Sequence, residues 1–129
     1  KDERILLHCK LIRDADKLDN FRVKATESLE AHFDVSKEIV ETEEVSDNIM
    51  EAIREERSIL RNERTTHLDM WVSYLAFIFD LNFASSFGYI QEHDYINHNI
   101  DRMNYTNPKT KERMEEVRKI CLAYVEKRA

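Results

Sequence analysis

Glycine and proline are almost missing: in 129 residues only Gly88 and Pro108 occur. An all-β chain needs turn residues every ~8–12 positions, so this scarcity excludes sandwiches and barrels. It also removes the glycine-rich loops that cradle phosphates, and there is no HExxH or GxSxG run. Cysteine is nearly as scarce. Cys9 and Cys121 lack CxxC spacing, lie on apolar helical stripes, and are expected as two reduced core thiols. No secretory signal opens the chain, because Lys1-Asp2-Glu3-Arg4 is charged and the following apolar segment is short and interrupted. No initiator Met is present either, and an amphipathic pattern begins at once, so a fragment of a longer protein is expected. The most apolar stretch, residues 67–82, is shorter than ~20 residues and carries Asp69 and Asp80, so no membrane partner is expected.

What is there suits an all-α, cytoplasmic protein: 36% of residues are charged and 42% hydrophobic, enough for one helical domain over residues 1–129. The net charge of −6 disfavours general nucleic-acid binding, which draws on Lys and Arg neutralising phosphates. Apolar residues three and four apart predict a helix over 3–21 and a shorter continuation over 22–33. Residues 34–45 read as an acidic surface loop with a solvated face, and Ser46 as the cap of a helix over 47–57. After a polar connector, Thr66 caps a central helix over 67–82, followed by helices over 83–92, 94–105 and 108–127. The last carries Met114, Val117, Ile120, Cys121, Tyr124 and Val125 on one stripe, with Pro108 in its first turn.

The segment Asp14-Ala15-Asp16-Lys17-Leu18-Asp19 sits badly in this scheme. Ile5, Leu7, Cys9, Leu11, Ile12, Ala15 and Leu18 define a broad apolar arc. At ~100° per residue, His8, Asp16 and Asp19 project into or beside it, and Asp14 lies near its far border. An unpaired buried carboxylate costs several kcal/mol or takes up a proton, so Asp16 and Asp19 need a partner. One reading is a salt-bridged or capping acidic cluster. The other is that Asp16 supplies one oxygen ligand to a divalent metal ion whose other ligands come from elsewhere. Such a cation polarises a phosphoryl oxygen and acidifies bound water. Among the histidines, His8 is a core-edge residue with a candidate substrate contact, and His67 belongs to a helix start. His93-Asp94 reads as a surface turn.

The run Leu6-Leu7-His8-Cys9-Lys10-Leu11-Ile12-Arg13-Asp14-Ala15-Asp16-Lys17-Leu18-Asp19 resembles the closing motif of the HD-domain metal-dependent phosphohydrolases. In that family a helix ends in a segment like Ala-Asp-x-Leu-Asp, whose first Asp is the last metal ligand. Residues 75–83 and 111–120 also look like the C-terminal part of bacterial HD-domain proteins. The resemblance implies an HD-like helical bundle lacking its N-terminal helices, and hydrolysis of a nucleotide or other phosphate ester. It implies Asp16 as metal ligand, with Lys17 near substrate phosphate and Asp19 orienting a ligand or water. The family's His and His-Asp doublet precede this motif by several helices, and nothing before Ile5 can hold them. This chain alone is therefore expected to be inactive, and to pack against a missing N-terminal segment or another copy. The alternative is a non-catalytic binding or regulatory module on the same scaffold.

Overall fold

In a computed structural model, which describes residues 2–129, all regular structure is helical. Helix α1 runs over Glu3–Thr26, and the Asp2 side chain caps it by accepting the Arg4 amide at 2.9 Å. It is longer than the periodicity suggests, because nothing between Phe21 and Thr26 breaks a helix. Extended backbone at Glu27 ends it, and one turn, α2 (Leu29–His32), tucks Leu29 and then Phe33 into the core.

The acidic stretch is not a solvated face throughout. It forms a short helix, α3 (Lys37–Glu41), and two of its carboxylates turn inward to backbone donors. Glu41 accepts the Asn104 amide at 2.6 Å, and Glu43 accepts the Leu68 amide at 3.0 Å. Helix α4 (Asp47–Arg54) buries Ile49, Met50, Ala52 and Ile53.

The central helix is α5 (His67–Leu75), and the chain then tightens into a 3-10 turn over Ala76–Asp80 instead of continuing to residue 82. Such tightening gives the last carbonyls of a helix i→i+3 partners. Thr66 and Asp69 form a capping box at the start of α5. Asp69, fully buried, also accepts from the Ser46 amide at 2.8 Å and the Ser46 hydroxyl at 2.6 Å. The Ser46 side chain thus serves Asp69 and leaves α4 without a side-chain cap.

Helices α6 (Ala84–Glu92), α7 (Tyr95–Ile100) and α8 (Pro108–Arg128) complete the fold. His93 and Asp94 lie in the exposed turn between α6 and α7, with Asp94 in the left-handed region at φ 52°. Helix α8 packs on α4, α6 and α7, and α1 packs on α5, α6 and α7. One apolar core runs through them, with Trp71 at its centre donating from Nε1 to the Asn99 carbonyl at 2.8 Å. Among the described residues, no helix is long and apolar enough to cross a membrane.

Candidate functional site

Helix α1 positions the candidate site, and the buried carboxylate on it is Asp14. Asp14 is only 3% exposed, whereas Asp16 and Asp19 are exposed. The expectation that Asp16 and Asp19 project into the core is therefore corrected. The cause is that α1 is apolar on more than one side, so periodicity alone does not say which side faces the body. Phe21 and Asp14, seven residues and about two turns apart, mark the inward face.

Four donors converge on Asp14. They are the Asn82 amide at 3.0 Å, its side-chain Nδ2 at 2.9 Å, the Phe83 amide at 3.1 Å and the Ser86 hydroxyl at 2.6 Å. These groups surround the N-terminus of α6, where donors are unsatisfied and a negative charge is favoured. Burial works against the Asp14 charge. The hydrogen bonds from Ser86, Asn82 and Phe83 outweigh it and hold the carboxyl below the ordinary aspartate range. Asp14 is thus a clamp that fixes the rotation of α1 against α6.

With that rotation fixed, Asp16 points roughly the opposite way, because two residues turn a helix by ~200°. It makes no hydrogen bond or ion pair with any described residue. It lies at a depression of ≈ 330 Å³ lined by Arg13, Asp16, Lys17, Asn20 and Phe77. Lys17 therefore shares the site with Asp16. Asp19 does not: it is held in an exposed ion pair with Arg22 at 2.8 Å. Nor does His8, which lies eight residues earlier, ~12 Å along the helix axis, and is exposed rather than at a core edge. Among the described residues there is no group of three His, Cys, Asp or Glu side chains placed to hold one metal ion. A divalent cation such as Ca²⁺ takes six or more oxygen ligands. The residues present fit the role of one ligand to such an ion, Asp16, and not a whole coordination sphere.

Toward its start α1 is exposed on both sides, with Ile5, Cys9 and Ile12 on the side of Asp16 and Leu7 and Leu11 on the side of Asp14. Ile5 is 64% exposed and Ile12 51%, and Leu6, Leu7 and Leu11 are about half exposed. Cys9, expected in the core, is exposed among them, while Cys121 is buried as expected and burial pushes its thiol up to about 12. A second depression, lined by Asp2, Ile5, Leu6, Cys9 and Arg13, adjoins the first through Arg13.

Sequence reasoning missed Lys24. It is nearly buried at the inner end of α1, without a carboxylate partner, and its Nζ lies 4.1 Å from the centre of the Tyr74 ring. Desolvation pulls its pKa down, only partly offset by Glu27. Desolvation also lowers His32, and the neighbouring Lys24 charge adds to that. Lys24, Phe21, Trp71, Tyr74, Leu75 and Asn99 enclose a space of ≈ 10 Å³, room for about one water. The Asn99 Oδ1, buried without a partner, is a natural acceptor for it. A lysine within an otherwise helical pattern looks like any surface cation, so nothing local marks Lys24 as buried.

No family model matches this chain, and the comparisons with curated proteins and with solved structures found no match.

Proposed function

We propose that this chain is the C-terminal part of an HD-type, metal-dependent phosphohydrolase acting on a nucleotide or another phosphate ester. The observation that carries the reading is the division of α1 into two faces. Asp14 anchors one face to the body of the fold, while Asp16 stands without a partner on the other, beside Lys17 and in line with uncovered apolar residues. In this reading a helical segment outside the chain covers Ile5, Cys9 and Ile12 and brings the remaining metal ligands over Asp16. A divalent cation held there supplies Lewis-acid polarisation of a phosphoryl oxygen. The residues of this chain contribute one anionic oxygen at Asp16 and a cation at Lys17 to hold substrate. Asp19, spent on Arg22, has at most an indirect role. By itself the chain is inactive.

The second reading, a non-catalytic helical binding module, is favoured by the same exposed apolar residues, which suit a packing partner or a second copy without any metal. Metal analysis and a phosphomonoesterase screen of the full-length gene product separate the two. The enzyme reading expects bound divalent metal, measurable hydrolysis, and loss of roughly 100-fold or more in metal affinity on Asp16→Ala. A full-length protein that binds no divalent metal would leave only the binding module.

A further inference from the structure

Helix α1 overhangs the body of the fold. Asp14 is its first buried residue, residues 2–9 and 11–13 are exposed, and Lys10 is half-buried. The overhang is about 17 Å long at ~1.5 Å per residue. Helices in proteins are held mainly by packing an apolar face, and a stretch this short is marginal in water without it. One side of the overhang has a shape that says what packs there. A depression of ≈ 290 Å³ is lined by Asp2, Ile5, Leu6 and Cys9, together with Arg13. The first four stand at i, i+3, i+4 and i+7. Four residues at that spacing form the hole that receives one side chain, the knob, of a facing helix.

The overhang itself supplies a matching helix. It can be laid antiparallel on a second copy, with Asp2 of one helix level with Ile12 and Arg13 of the other. Cys9 then enters the hole of the second copy, Ile5 lies opposite the second copy's Cys9, and two-fold symmetry makes each contact twice. In this register Arg13 comes beside Asp2 of the second copy. The Asp2 Oδ1 caps α1 by accepting the Arg4 amide, which leaves Oδ2 to meet the arginine. A parallel pair would set Asp2 against Asp2 and Arg13 against Arg13, so charge selects the antiparallel one. The length fits as well. The two overhangs overlap over residues 2–13 and stop short of Asp14, where the body begins.

We propose that the start of α1 is a self-association surface whose partner is the same stretch of a second copy, in an antiparallel helix pair. The inference rests on the binding-module reading above and names its partner. Ile5, Leu6, Cys9 and Ile12 form the apolar seam, and the two Asp2–Arg13 pairs fix the register. Asp16 lies beyond the overlap and takes no part. Two stretches of this length bury less than a standard interface, so the dimer is reversible, with a Kd of about 10–100 µM. Below that range the chain is monomeric and Cys9 is open to reagents.

Sedimentation velocity of the 129-residue chain between about 1 µM and 1 mM is the test, and the mass should rise from one chain to two across that range. Ile5→Asp/Ile12→Asp should weaken association about tenfold or more. Both positions are exposed, so the melting temperature of the monomer should not change. Leu60→Asp, at a position as exposed as Ile5 but outside α1, should leave association as it is. Orientation is read by mild oxidation. Ile5→Cys should give a covalent dimer that joins position 5 to Cys9 of the second copy, mapped by mass spectrometry. A chain that stays monomeric throughout the range would overturn the proposal. So would equal weakening by Leu60→Asp, or a link from Cys9 to Cys9 in place of the expected one. A monomeric chain still leaves a binding module with a different partner, because that reading is decided by metal analysis of the full-length gene product.

Discussion

Asp14 and Asp16 are two residues apart, chemically identical, and do opposite things. Asp14 is buried and holds four donors at the start of α6. Asp16 is exposed and holds nothing from this chain. A carboxylate whose every acceptor site is filled by its own fold has no capacity left for a ligand. A carboxylate on the same rigid helix, with its direction set by the first, is available and already oriented. The contrast shows that burial and satisfaction, read together, distinguish the group that builds the structure from the group that is offered to a partner.

The largest effect that can break this comparison is on stability. Asp14→Ala leaves the Asn82 and Phe83 amides and the Ser86 hydroxyl without their acceptor, and should cost about 2–4 kcal/mol in urea unfolding. Asp16→Ala, made at an exposed position, should change stability by no more than about 0.5 kcal/mol. Equal costs for the two variants would remove the distinction.

A second effect is the pH dependence of that stability. The folded-state pKa of Asp14 is lowered, so the unfolded chain takes up the proton more readily than the folded one. Its contribution is complete above the ordinary aspartate value of about 3.9 and is lost as pH falls through the lower folded value. The stability gap between the parent and Asp14→Ala should therefore be constant from pH 7 to about 5 and shrink on further acidification. Glu63 and Glu116 are also lowered, by hydrogen bonds from Arg57 and Arg54, but they titrate in both proteins and cancel in the difference. A gap that widened in acid would contradict the clamp.

The smallest effect concerns the cysteines and sharpens the picture of the open face. Cys9 on exposed α1 should react with a thiol reagent in the native chain, and Cys121, fully buried with its pKa raised, only on unfolding. In the full-length gene product Cys9 should become protected if a segment covers the face that carries Asp16. Unchanged Cys9 reactivity there would mean that the face stays open.

The helices were readable because so little interrupts them. Apolar spacing placed α4, α6 and α8 within a few residues, and Thr66 and Pro108 marked two starts that the structure also has. The rotation of α1 was not readable. Its apolar residues surround it, and what orients it is a bond to Asn82 and Ser86, about 70 residues away in the chain, which no local pattern reveals. For the same reason the acidic stretch looked solvated, since the donors to Glu41 and Glu43 are the Asn104 and Leu68 amides. That the Asp14–Asp19 segment was out of place among helix patterns was visible, but not that the carboxylate turned inward is Asp14, with Asp16 and Asp19 exposed. The tightening after Leu75 and the burial of Lys24 likewise depend on packing rather than on propensity.

The most direct test of the two-faced helix is divalent-metal affinity in the full-length gene product, compared between the parent and Asp16→Asn. The account predicts a loss of roughly 100-fold or more with an unchanged melting temperature, because Asp16 binds outward and supports nothing within the fold. Metal affinity that survives Asp16→Asn intact would contradict it.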